Sequence, residues 1–154
     1  MIGGEEAWGA TLLRLVLGLV YCAHGYLGLA VAGPAAAVSE ITRIGFPEVF
    51  APALAWYMLL VHLVGGALLL VGLWTRVVAL LQLPVVLSAV FLVHWQQGFF
   101  MKVVQIQAGP VVQIRAGGIE YPLLILVATV AVALLGPGPF ALDTRPGART
   151  IELP

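Results

Sequence analysis

Charge and cysteine are scarce in this chain. Of its 154 residues 9% are charged, seven basic residues balance seven acidic ones, and there are three histidines and one cysteine, Cys22. A lone cysteine excludes an internal disulfide, a CxxC redox pair and a thiolate-rich metal site. The formal net charge of +0 gives no reason to expect nucleic acid or a charged bilayer patch as partner. CxxCH, HExxH and histidine pairs at i, i+4 are missing too, so no local metal or haem signature is written in the chain.

What remains is apolar. Hydrophobic residues make up 62% and the mean hydropathy is +1.08, whereas soluble domains are about half apolar and about a quarter charged. The composition is that of an integral membrane protein. Apolar runs lie near 11–32, 52–73, 77–94 and 119–136, and each approaches the roughly 17 to 25 residues that cross about 30 Å of hydrocarbon. The first follows "GGEEAWGA", whose glutamates do not suit the basic start of a signal peptide, so it is expected to stay as a span. Only "LWTR" separates the second and third, which forces an antiparallel pair with a tight turn at 72–76.

The expected fold is therefore all-α: one domain over 1–154, an antiparallel bundle of four transmembrane helices, and a loose polar tail at 144–154. Both termini fall on one side and the long links, 33–51 and 95–118, on the other. Arg14, Arg76, Arg145 and Arg149 outnumber Arg43, Lys102 and Arg115, which favours cytoplasmic termini. Trp8, Trp56, Trp74 and Trp95 stand at the ends of runs, as interfacial anchors do. Pro84 should loosen the third span, with Gln82 or Ser88 available to repair it.

Ionisable groups inside a span are costly and call for a partner or a purpose. Counting residues at 1.5 Å each puts His24 roughly 12 Å and His62 roughly 15 Å below the long-link surface. The two share a level. His94 closes the third span and Glu120 opens the fourth near that same surface, with Tyr21, Tyr26, Tyr57 and Tyr121 in the neighbourhood. Competing readings are plain: His94 and Glu120 as interface residues, Glu120 favoured at a helix N-terminus, Arg14 snorkelling to the surface, Cys22 packing, and the deep histidines merely bonded to a carbonyl or tyrosine.

Three chemistries suit a His24/His62/His94/Glu120/Tyr121 cluster. Two histidines on different helices could hold a b-type haem. Three, His24, His62 and His94, with a carboxylate could hold a metal ion. An uncoordinated His/Glu/Tyr set could bind a quinone and relay protons, with Phe99 beside the head group.

Read in order, "RLVLGLVYCAHGYLGL", "GFP", "LAWYMLLVHLVGGALLLVGLWTR", "FLVHWQQGFF" and "GGIEYPLLILVATVAVALLGPGPFALD" resemble the DoxX family of small four-helix membrane proteins, over residues 14–143. The resemblance implies a prokaryotic cell-membrane protein in the sphere of quinone-linked oxidoreductases, related to the membrane subunit of thiosulfate:quinone oxidoreductase. It also implies work with a larger oxidoreductase or soluble partner, as homo- or hetero-oligomer. By position it reaches His24, Gly25, Gly65, Gly66, His94, Gly98, Phe99, Glu120, Tyr121 and Pro122. His62 departs from it: the family usually carries glutamate before the double glycine, so a fixed negative charge is exchanged here for imidazole. A non-catalytic assembly subunit and a lone metal or haem protein remain as alternatives.

The segment 103–115 alternates apolar and polar residues through VVQIQ, breaks at AGP, and alternates again through VVQIR. A three-residue AGP loop would pair Gln105 with Gln113 and Ile106 with Val112, leaving an apolar face of Val104, Ile106, Val112 and Ile114. Such a hairpin is marginal alone and needs apolar cover. It is expected to lie over the mouth of the bundle or to dock a partner, unless the alternation is chance in an ordinary loop.

Overall fold

Glycines decide where the first two long helices meet. A Cβ at Gly25 would come within 2.7 Å of Leu63 Cα, and one at Gly66 within 2.6 Å of Cys22 N, so only glycine lets these backbones touch. Around that seam the computed structural model describes residues 4–108 and 111–144. The tail at 145–154 and residues 109–110 lie outside them.

Helix α1 (Gly4–Tyr26) runs on as a π-helical segment, Leu27–Ala32. A short helix, α2 (Pro34–Arg43), follows, with proline in its first turn where the missing N–H costs least. It buries Ala37 and Ile41 against Ala51, Ala55 and Leu59 of α3 (Ala51–Val71). Its Glu40 pairs with Arg43 and raises the pKa of that guanidinium. The 33–51 link is thus partly helical, which hydropathy over so short a stretch did not reveal.

Gly72 in the left-handed region (φ 70) ends α3, and α4 (Thr75–Ser88) starts three residues later. α4 continues through a π-helical segment, Ala89–His94, and a 3-10 turn, Trp95–Gln97. The last long helix is α5 (Glu120–Leu135). Buried Leu17, Tyr21, Leu69, Val78, Val86 and Val132 form the core among α1, α3, α4 and α5.

Among the described residues three helical stretches are long and apolar enough to cross a membrane: Trp8–Ala32, Ala51–Val71 and Thr75–Gln97. The four-span expectation is therefore met for three. α5 has 16 residues, shorter than the expected 119–136 because Gly136 (φ 85) ends it and Ile119 only precedes it. Within the most apolar stretch of each span only 22% to 28% of residues are buried in the protein, so most are at least partly exposed. An apolar exterior of that extent requires lipid around it.

Pro84 sits inside α4 without a break. Tyr57 Oη donates to the Leu81 carbonyl at 2.5 Å, and Ser88 Oγ donates to the Pro84 carbonyl at 2.8 Å. Gln82 does something else: its Nε2 donates to Val61 O at 2.7 Å and ties α4 to α3.

Between α4 and α5, β1 (Lys102–Ala108) and β2 (Val111–Gly117) pair antiparallel. The register is one residue off the expected one. Ala108 opposes Val111, Gln105 opposes Ile114 and Ile106 opposes Gln113, so Ala108 belongs to the ladder rather than to the loop. A slip of one residue exchanges the two faces of a strand, and the pairing behind the proposed apolar face does not hold. The base of the hairpin is fixed instead by backbone bonds, Ile119 N–H to Gly98 O and Glu120 N–H to Phe99 O, both 3.0 Å.

Candidate functional site

Where α4 gives way to the hairpin, the bundle holds an open-sided cavity of about 470 Å³. Val20, Tyr21 and His24 reach it from α1, His62 from α3, Val85, Val86 and Ala89 from α4, and His94 from the π-helical segment. Tyr121, Pro122 and Ile125 of α5 close it, with Met101, Gly117 and Gly118 from the hairpin base. All three histidines of the chain therefore share one cavity whose walls are otherwise mostly apolar. That is the usual make-up of a small-molecule site.

The rings lie close. His24 and His62 have centroids 6.4 Å apart, Tyr21 meets His62 edge-on at 5.1 Å, and Tyr121 is near-parallel to His24 at 6.3 Å. Several protons can be placed from the bonds around the rings. His24 Nδ1 is 2.9 Å from Val20 O; a carbonyl only accepts, so Nδ1 carries the hydrogen and Nε2 of the neutral ring is bare. In Gln97, Nε2 donates to Val93 O and Oε1 accepts from Gly118 N–H, which fixes the amide orientation. His94 Nδ1, 3.1 Å from that Oε1, must then be a donor, and its Nε2 is bare as well. Thr129 Oγ1 donates to Ile125 O at 2.7 Å, so Tyr21 gives its own hydroxyl proton to Thr129 at 2.5 Å. His62 Nδ1 is buried with no hydrogen-bond partner among the described residues.

Other candidates fall elsewhere. The Glu120 carboxylate accepts Met101 N–H at 2.9 Å and braces the hairpin base rather than lining the cavity. Phe99 is exposed and packs edge-on against Phe100 at 5.3 Å. Tyr57 is taken up by Leu81 O, and Tyr26 is exposed. Among the described residues no three His, Cys, Asp or Glu side chains are grouped to hold a metal ion. The three-histidine metal centre therefore has no preformed geometry.

A family model described as DoxX matches residues 9–95, the stretch that carries His24, His62 and His94. This chain belongs to the DoxX family. A Bacillus subtilis (strain 168) protein named "Putative oxidoreductase CatD" is similar to it, 27% identical over 135 residues that cover 88% of this chain and 84% of that protein. No solved structure matches. The hairpin and α5, which complete the cavity of this DoxX chain, lie beyond the matched stretch.

At the far end of the bundle, sequence reasoning misjudges one residue and misses another. Arg14 does not snorkel: it is 1% exposed, and its guanidinium donates to Leu69 O (2.5 Å), Leu70 O (2.8 Å) and Pro137 O (2.8 Å). Carbonyls in the last turn of a helix lack partners within it, and a cation suits that end. Asp143 supplies the opposite need. Its carboxylate accepts Trp74 N–H at 2.8 Å and Thr75 N–H at 2.9 Å, capping the start of α4 from 68 residues away. The "GLWTR" and "LGPGPFALD" segments that carry part of the resemblance are thus two halves of one joint.

Proposed function

We propose that the cavity binds the head group of a membrane quinone and that this DoxX chain is a membrane subunit supporting quinone-linked electron transfer. The observation that carries this reading is the convergence of imidazoles from three spans on one largely apolar cavity. A quinone and its quinol differ by two electrons and two protons. Bare imidazole nitrogens at His24 and His94 can take up the protons of a quinol and, once protonated, return them to a reduced quinone, while the electrons pass to or from a partner oxidoreductase. Tyr121, stacked near His24, would hold the planar ring. α5 then serves as the fourth membrane element, in a prokaryotic inner membrane with the termini in the cytoplasm.

Titrating purified protein in detergent with a short-chain quinone, followed by tryptophan fluorescence, tests this. His24→Ala and His62→Ala are each expected to weaken binding by about tenfold, as loss of one polar contact does. Saturable binding indifferent to both changes would count against the site. The haem alternative draws on the same 6.4 Å pair, His24 and His62. A Soret band in the isolated protein, lost in either variant, would replace the quinone reading with it. An assembly subunit without chemistry would show neither.

The hairpin acts in this reading as a lid, since Met101, Gly117 and Gly118 at its base line the cavity. Removing residues 103–115 should raise the ligand's dissociation rate several-fold with the helices intact. An unchanged rate in a helical, folded deletion would leave the hairpin as a docking edge only.

A further inference from the structure

Resting on the reading of the cavity as a place of proton exchange, we infer that the exchange is one-sided. Water and protons reach the histidines from the long-link face and are stopped from the face that carries the termini. Along each long helix a polar group, an apolar residue and a second polar group follow in that order from the cavity to the far joint. In α1 they are Tyr21, Leu17 and Arg14; in α4 they are Gln82, Val78 with Ala79, and Thr75. α5 has Thr129, Val132 and, just beyond the helix, the Pro137 carbonyl; α3 has His62, then Leu69, whose carbonyl Arg14 holds. Leu17, Leu69, Val78, Ala79 and Val132 are only 0% to 2% exposed and pack into one cluster, so they close the bundle as a dry layer.

Orphaned polar atoms stand on both sides of that layer. Among the described residues, three buried side-chain atoms have no hydrogen-bond partner: His62 Nδ1 and Gln82 Oε1 on the cavity side, Thr75 Oγ1 on the joint side. Gln82 cannot turn its amide to relieve this, because Nε2 is held by Val61 O. Such atoms call for internal water. Val86, one helical turn from Gln82, lines the cavity, so water reaches Gln82 from there. From Gln82 to Thr75 the seven residues of α4 span roughly 10 Å, and the apolar layer fills that interval. The joint beyond is plugged as well: Arg14 ties α1 to the end of α3 and to Pro137, and the charge that Asp143 does not offset repels a hydronium ion.

Toward the long links the cavity is open. His24 is exposed, His94 lies one turn before its helix ends at Gly98, and residues 95–102 are exposed throughout. The titratable groups that line the cavity are His24, His62, His94, Tyr21 and Tyr121, with no carboxylate or cation among its described walls. A quinol oxidised there gives two electrons to the partner oxidoreductase and two protons, through imidazole, to the long-link face. Reduction of a quinone draws both protons from that same face.

A membrane-impermeant thiol reagent, applied to spheroplasts and to inverted vesicles, tests this on the full-length protein carrying Cys22→Ser and one added cysteine. Glu48→Cys and Thr144→Cys, both at exposed positions on opposite faces, show which face each preparation offers. Ala89→Cys reports the cavity and Ala79→Cys the apolar layer; if Ala79→Cys fails to fold, Val132→Cys serves for the same layer. Ala89→Cys should react about tenfold faster from the Glu48 face than from the Thr144 face, and Ala79→Cys about tenfold more slowly than that from either. Equal labelling of Ala89→Cys from both faces, or none from either, overturns the inference. Labelling of the apolar layer as fast as that of the cavity overturns it too. A short-chain quinone should slow the labelling of Ala89→Cys; one-sided labelling that quinone leaves unchanged counts against the quinone site and leaves the sidedness standing.

Discussion

Arg14→Met should lower stability by about 3 kcal/mol, the cost of leaving buried carbonyls without a donor, and bring the thermal midpoint in detergent down by roughly 10 °C. Methionine can fill much of the space, so the loss reports hydrogen bonding more than packing. Three carbonyls lose this donor together, two in the last turn of α3 and one just beyond α5, and Leu69 O retains the Gly72 N–H at 3.1 Å. A net stability of about 5 to 15 kcal/mol makes such a loss large. Because this joint lies at the opposite end of the bundle from the cavity, ligand affinity of the protein that stays folded should not change. An unaltered midpoint would show that the guanidinium is replaceable, and an altered affinity would show that the two ends are coupled.

The second large effect is expected at Gly25. A leucine there must displace Leu63, whose Cα and Cβ lie 2.7 and 2.8 Å from where the new Cβ would sit. Backbone gives way less readily than a side-chain tip, so α1 and α3 must separate, and with them His24 and His62. Ligand affinity should fall at least tenfold, while the gain in helix propensity of about 1 kcal/mol over glycine partly offsets the overpacking. Gly9→Leu is the matched control, since a Cβ at Gly9 meets nothing within 4 Å. Equal affinities in the two variants would mean that the seam tolerates widening and does not set the site.

What the sequence disclosed of this site came from counting along helices. His24 and His62 were placed at one depth by residue rise alone, and their rings do lie 6.4 Å apart. The long spans could be found because lipid imposes a length that hydropathy records directly. Arg14 was misjudged because its partners are backbone carbonyls, which every residue carries and no pattern marks. Asp143 was missed for the same reason, its two acceptor bonds going to N–H groups 69 and 68 residues back. The hairpin register slipped because alternation fixes which residues share a face but not which of them the loop consumes. Glu120 reads as chemistry in the sequence because it opens the fourth span near the surface where His94 closes the third, whereas its carboxylate holds the Met101 amide.

The joint of Arg14, Gly72, Thr75 and Asp143 has a further consequence for the order in which the protein is made. Synthesis delivers α3 and α4 as an inserted helical pair long before residues 137 and 143 leave the ribosome. Until then the Trp74 and Thr75 amides lack their carboxylate, and one of the three carbonyls that Arg14 holds does not yet exist. The turn between α3 and α4 is therefore completed only when the end of the chain arrives, and a chain cut short after α5 would insert without locking.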